Sequence, residues 1–186
     1  MEDSLARFLY ELGQLKNVRR SGWWLAGVRA PESVADHAFR ATAIAYVLAQ
    51  LEGADAGRAV ALVVFHDSAE TRLNDLHRMA KRYLDSGGAE VQVTEDQLRG
   101  LPEAIAEPID SLLKEYRAGT SLEARVAHDA DRLECLLQAR EYAAEGATTD
   151  AWIESAQREL RTRSARELAA ACLRIDPRDW SRQSDA

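Results

Sequence analysis

Apolar residues recur at spacings of three and four along almost the whole chain, and no run alternates as a half-buried strand would, so the pattern predicts helices throughout. Leu5, Phe8, Leu9 and Leu12 form one face of a first helix that ends near Gly13 or Asn17. Gly22, Gly27 and Pro31 make Val18–Pro31 a loop. Ser33 is placed to cap a second helix that carries Ala41, Ile44, Ala45, Leu48 and Leu51. After a connector at Gly53–Gly57, Val60, Val63 and Val64 lead a short buried helix into His66-Asp67.

Glu70–Leu84 is polar but helical in pattern, and Ser86-Gly87-Gly88 is expected to end it; Thr94–Gly100 reads as a short helical turn. Ile105, Ile109, Leu112, Leu113 and Tyr116 mark a helix over Glu103–Arg117, in which Pro108 either makes a kink or marks the true start. Ser121 begins a long helix with Val126, Ala130, Leu133 and Leu137 on one side. Trp152, Ile153, Ala156 and Leu160 continue from Thr149, with a break expected before Ser164–Leu173 and fraying from Asp176 to Ala186. No internal repeat or low-complexity linker divides the 186 residues, a length that suits one all-α domain with its core over about 8–142 and C-terminal helices over about 149–174.

Composition narrows the function. With 31 acidic and 24 basic residues the formal net charge is -7, which disfavours a long nucleic acid, whose binding requires many phosphates to be neutralised, yet leaves room for one phosphate in a local pocket. The two cysteines, Cys135 and Cys172, lie in helical sequence outside any CxxC pair, so no disulfide framework is expected. The N-terminal residues lack the continuous apolar core of a leader, and no stretch approaches a membrane span; a cytoplasmic protein without membrane contact is the expectation.

The fragment VVFHDSAE, residues 63–70, carries the most chemistry. An ionisable His66-Asp67 pair follows a run that should be buried, and burying such a pair is costly unless a metal or hydrogen-bond partners compensate. Adjacent helical positions point in different directions, so one ion meets both only from the edge between them or where the helix ends. Its other ligands must come from elsewhere, and His37 in PESVADHAF and Asp131 in VAHDADRLE are the candidates. Two imidazoles and two carboxylates suit a divalent first-row metal. Taken singly each piece is unspecific, and periodicity leaves Asp129 and Asp131 both open: Asp129 lies nearer the Val126/Leu133 face, whereas Asp131 aligns with His128, Cys135 and Gln138.

The order His37, His66-Asp67, Asp131 on successive helices resembles the HD-domain metal-dependent phosphohydrolase superfamily. More narrowly, ELGQLKNVRRSGWW, PESVADHAFR, ALVVFHDSAETRLNDL and VAHDADRLECLLQAREY resemble its 5'-deoxynucleotidase branch from about Phe8 to Tyr142. The resemblance implies a single helical HD-domain bundle in which His37, His66, Asp67 and Asp131 bind one divalent ion (Co, Mn, Mg or Zn), and it selects Asp131 over Asp129. It also implies hydrolysis of deoxyribonucleoside 5'-monophosphates and a homodimer.

Glu70 and Asp75 match the two acidic residues that the branch places after its His-Asp pair, and are the catalytic candidates. Glu70 follows His66 by four positions and Asp67 by three, so a continuing helix returns its carboxylate to the metal side, where it can orient the attacking water or take its proton. Asp75 either protonates the departing 5' oxygen or holds a sugar hydroxyl. Arg20, with Arg19 beside it, and Trp23 match the branch's Arg-plus-Trp substrate segment: guanidinium grips phosphate, and the indole presses on the sugar to exclude a 2'-hydroxyl.

His77 and Arg78 depart from the Pro-containing stretch common in relatives; His77 is expected to face water, Arg78, Lys81 and Arg82 to lie on a solvated helix face, Trp24 to be a packing residue, and His128 and Asp129 to be structural. The alternatives are an HD-domain hydrolase of a triphosphate or cyclic nucleotide, or a non-catalytic nucleotide-binding regulatory protein.

Overall fold

A computed structural model describes residues 1–182. Nine α-helices follow one another among these residues: α1 (Glu2–Leu12), α2 (Val34–Glu52), α3 (Ala56–Phe65), α4 (Glu70–Leu73), α5 (Ser86–Leu98), α6 (Glu103–Ala118), α7 (Leu122–Ala144), α8 (Asp150–Glu159) and α9 (Arg163–Arg174). Short 3-10 turns occupy Gly13–Lys16, Ser21–Ala26, Ala80–Arg82 and Asp179–Ser181. The described part of the tail from Asp176 therefore forms a hydrogen-bonded turn, with Arg178 N donating to Asp176 Oδ1; positions 183–186 lie outside the described residues.

The long helix α7 packs against α2, α3, α8 and α9, and α9 also reaches α2. Alanines at the crossings let backbones approach closely: Ala41, Ala45 and Ala49 of α2 and Ala127 and Ala130 of α7 join Leu48, Leu62, Leu133 and Leu136 in the principal core. Leu9 and Leu51, expected on buried faces, are exposed, because α1 contributes chiefly Phe8 to a small cluster with Ile109 and Leu113, and α2 ends at Gly53 just beyond Leu51. Ser33 caps α2 as expected, accepting from Asp36 N while Asp36 Oδ2 accepts from Ser33 N. α6 starts at Glu103 and runs through Pro108, so Pro108 does not mark its start.

The largest departure from the sequence pattern is the segment after Glu70. Only Glu70–Leu73 is α-helical; Asn74 adopts φ 60° with ψ 165°, outside both helical regions, and this stops the helix. Ser86-Gly87-Gly88 begins a helix instead of ending one, since Asp85 Oδ1 accepts from Gly88 N and caps α5, whose last turn is the expected turn at Thr94–Gly100.

Asp129 has the structural role expected of it. It is fully buried, and its carboxylate accepts from Arg161 N, Thr162 N and Thr162 Oγ1, which fixes the break between α8 and α9. Asp129→Ala strands these buried donors, and a loss of roughly 3 kcal/mol is expected, read as a shift in the urea unfolding midpoint; a shift within error of wild type would refute the role.

Candidate functional site

The site lies where α2, the α3–α4 turn and α7 converge. α3 ends at Phe65, so His66 and Asp67 stand in a turn, not on a helix face, and this solves the problem of directing adjacent side chains to one point. Their Nε2 and Oδ2 atoms are 3.0 Å apart. His37, in the first turns of α2, brings its Nε2 to 3.9 Å from Asp67 Oδ2 and 3.2 Å from Asp131 Oδ1. Donor atoms of His37, His66 and Asp67 all lie within 4.8 Å of one another. The structure thus brings together all four residues named as metal ligands and keeps Asp129 out.

Each ring is held by its other nitrogen: His66 Nδ1 is 2.7 Å from Val63 O, and His37 Nδ1 is 2.5 Å from Glu134 Oε2. Both Nε2 atoms are thereby aimed inward. His37 Nε2, His66 Nε2, Asp67 Oδ2 and Glu70 Oε2 are nevertheless buried without a hydrogen-bond partner. Folded proteins carry only a few such atoms, usually scattered, and here four gather in one place. Two inward imidazole nitrogens and a carboxylate oxygen at this spacing form a group that could hold a divalent cation.

The electrostatics agree. Burial opposes ionisation of Asp67, but His66, Arg20 and His37 outweigh it and hold its carboxyl at about 2. Asp131 is likewise held well below the usual carboxylate range, His37 and Arg132 overcoming its burial. For Glu70 the balance is reversed: burial first, then the carboxylates of Asp67 and Asp75, push it up to about 9. A cation beside it favours its ionised form.

A cavity of about 370 Å³ opens beside these groups, lined by His66, Asp67, Glu70, Asp131, Tyr116 and the cations Arg20, Lys81 and Arg132. It adjoins an outer cleft of about 560 Å³, which shares Arg20, Lys81 and Arg132 and adds Asp75, Trp23 and Trp152. Together they are of the size that takes a small ligand. Arg20 is directed to the site, with Nη1 3.8 Å from Asp67 Oδ2, whereas Arg19 turns away and donates to Pro31 O. Backbone bonds from Arg20 N to Glu32 O and from Val34 N to Val18 O clip the Val18–Pro31 loop to the start of α2. Asp75 joins the same loop: its Oδ2 accepts from Ser21 N at 2.5 Å, and Ser21 Oγ donates to its carbonyl.

Trp23 is 2% exposed, stacked on Trp152 at 6.0 Å between centroids and donating from Nε1 to Glu32 Oε1, so it contributes a rigid wall to the outer cleft. Trp24 is not a packing residue: at 52% exposure it sits on the outer side of the 3-10 turn. His77 is half-buried, accepts from Ala80 N and lines the outer cleft, where water contact was expected. Arg78, Lys81 and Arg82 are solvent-exposed as expected but do not share one α-helical face, because α4 stops at Leu73 and only Lys81 and Arg82 fall in the short 3-10 turn; all three line the rim of that cleft.

Several residues escaped the sequence reading. Glu134 is fully buried and positions His37; Arg40 holds it in turn, with Nε and Nη2 both donating to Glu134 Oε1. Glu32 lies close by, and burial followed by the Glu134 charge pushes it up to about 7. A signal was present: Glu134 follows Asp131, and Arg40 follows His37, by three positions, which puts each on its ligand's helix face.

Comparison with known proteins supplies the context. A family model described as HD domain matches residues 12–172. The human protein 5'-deoxynucleotidase HDDC2 is 35% identical over 142 residues, covering 75% of this chain and 68% of the relative. The Schizosaccharomyces pombe 5'-deoxynucleotidase hdd1 is 31% identical over 145 residues, covering 75% and 72%. Among solved structures, a conserved hypothetical protein from Pyrococcus furiosus superposes with a TM-score of 0.79 at 29% identity, covering 91% of this chain and 99% of that one. No described helix is long and apolar enough to cross a membrane. The match over most of the chain, on a helical fold with this His-Asp cluster at its centre, means that the chain belongs to the HD domain family.

Proposed function

We propose that the protein is a metal-dependent phosphomonoesterase that hydrolyses deoxyribonucleoside 5'-monophosphates to deoxynucleoside and phosphate. The observation that carries this is the cluster of four buried polar atoms without hydrogen bonds on His37, His66, Asp67 and Glu70, the last three of these residues lining a cavity that also holds cations. The names of the relatives support the substrate class.

His37, His66, Asp67 and Asp131 would hold the ion. A divalent ion there supplies Lewis-acid chemistry, drawing charge from phosphoryl oxygens and acidifying water. Arg20, Lys81 and Arg132, which line the same cavity, would neutralise the phosphate. Glu70, its Oε2 free within the site, orients the attacking water and takes its proton. Asp75 lines the outer cleft and not the inner cavity, which favours its holding a sugar hydroxyl over its protonating the leaving oxygen. Trp23, fixed by Trp152 and Glu32, bounds the sugar. The homodimer in this reading is supported by the face of α2 that exposes Phe39, Tyr46 and Val47.

The test is an assay of released phosphate with metal-stripped protein, restored separately with Co, Mn, Mg or Zn. Deoxyribonucleoside 5'-monophosphates are expected to turn over fastest, ribonucleotides more slowly, and stripped protein not at all. Turnover confined to triphosphates or cyclic nucleotides would change the substrate class, and no turnover with any metal would leave a non-catalytic nucleotide binder.

A further inference from the structure

The outer cleft carries more positive charge than a 5'-monophosphate requires. Five cations line it, Arg20, Arg78, Lys81, Arg82 and Arg132, against two carboxylates, Asp75 and Glu159, in a chain whose formal net charge is -7. Three of the cations are accounted for. Arg20 lies 3.8 Å from Asp67, Arg132 Nε is 2.7 Å from Glu159 Oε2, and Lys81 also lines the inner cavity beside Glu70. The carboxylates are committed as well, Asp75 to Ser21 N and Glu159 to Arg132.

Arg78 and Arg82 remain. Both line the outer cleft but not the inner cavity. No carboxylate among the described residues pairs with either, and Arg78 reaches only Ser155 Oγ, at 3.4 Å. They are there because Asn74 breaks the helix and sends the following residues along the cleft, where the bond from Ala80 N to His77 Nδ1 and the turn at Ala80–Arg82 shape the wall. On the proposed reaction this compartment receives the nucleoside, which is neutral and is served by Trp152, Leu25 and Met79. Two guanidinium forks without carboxylate partners are chemistry for an oxyanion.

We propose that the outer cleft binds a second phosphate, carried by the sugar on the side away from the scissile group, and that the favoured substrates are deoxyribonucleoside 3',5'-bisphosphates. The inference rests on the phosphomonoesterase reading and deepens it. In the reaction a water oxygen bonds to the 5' phosphorus, the bond from phosphorus to the 5' oxygen breaks, and the water proton ends on that oxygen. The products are inorganic phosphate and a deoxynucleoside 3'-phosphate.

The experiment compares kcat/KM of the metal-loaded enzyme for deoxyadenosine 3',5'-bisphosphate, 5'-monophosphate and 5'-triphosphate at one ionic strength, with product identification. A preference of about tenfold or more for the bisphosphate over the monophosphate, mainly through KM, is expected from one charge-assisted contact or more. In the double variant Arg78→Ala, Arg82→Ala the ratio should fall toward one. A wild-type ratio at or below one, an unchanged ratio in the variant, a larger preference for the triphosphate, or loss of the 3' phosphate in place of the 5' would each overturn the proposal. If no substrate is turned over, the phosphomonoesterase reading fails by itself. The second-phosphate site is then judged by calorimetric binding of the bisphosphate, which the double variant must weaken about tenfold for the site to stand.

Discussion

Replacing Glu70 with Gln is expected to lower kcat for a deoxyribonucleoside 5'-monophosphate by about 10²–10⁴-fold, the usual contribution of a positioned proton acceptor, while metal affinity and fold stay close to wild type. The substitution is nearly isosteric, and Glu70 stands apart from the close contacts among His37, His66, Asp67 and Asp131. Its buried Oε2 has no hydrogen-bond partner in the protein, so exchanging the carboxylate for an amide breaks no side-chain hydrogen bond there. The change therefore removes basicity and little else. The measurements are steady-state kinetics with the restored metal, calorimetric titration of stripped protein with that metal, and circular dichroism. Equal turnover in variant and wild type would remove Glu70 from the mechanism, whereas loss of metal along with turnover would make it a ligand.

Asp67→Asn should act earlier in the same chain of events. Asp67 Oδ2 is the anionic centre of the cluster, 3.0 Å from His66 Nε2 and facing Arg20 and His37 at 3.8 and 3.9 Å. Taking away its charge leaves two imidazoles and a guanidinium around a site meant for a dication, with only Asp131 to offset them. Loss of an outer-shell partner costs a metal site roughly 10–100-fold in affinity, so loss of this ligand is expected to exceed about 100-fold and to reduce activity to the level of chelator-treated wild type. Titration of stripped Asp67→Asn with Mn or Co reads this directly. Wild-type affinity in the variant would show that the ion, if bound, sits elsewhere. Glu70→Gln and Asp67→Asn thus separate the proton-transfer role from the metal-binding role, the first sparing affinity and the second not.

Much of this protein was legible from the order of its residues. Helical periodicity and the absence of alternation determined an all-α architecture, and the short-range rules that place Ser33 as a cap and Ser121 as a helix start operate within a few residues of backbone. The cost of burying an ionisable pair after an apolar run pointed to His66-Asp67, and the family resemblance implied the full ligand set with His37 and Asp131. The sequence by itself therefore settled the fold class and the family, and named the candidates for the central cluster.

Only the tertiary structure decided the rest, and in each case the deciding contact lies far along the chain. Asp129 and Asp131 are two residues apart on one helix, and periodicity does not distinguish them; the resemblance selects Asp131, but the physical reason is tertiary, since the backbone of Arg161 and Thr162 claims the first and His37 meets the second. Glu134 became a positioning group only when α2 packed against α7 and set it 2.5 Å from His37. The polar run after Glu70 looked like a solvated helix because period alone cannot register that Asn74 takes a left-handed φ, and that single dihedral carried Arg78 and Arg82 into a cleft. Periodicity reports which faces are buried, but the partner across a packed interface is selected by the whole fold, through distances between segments that sequence spacing does not encode.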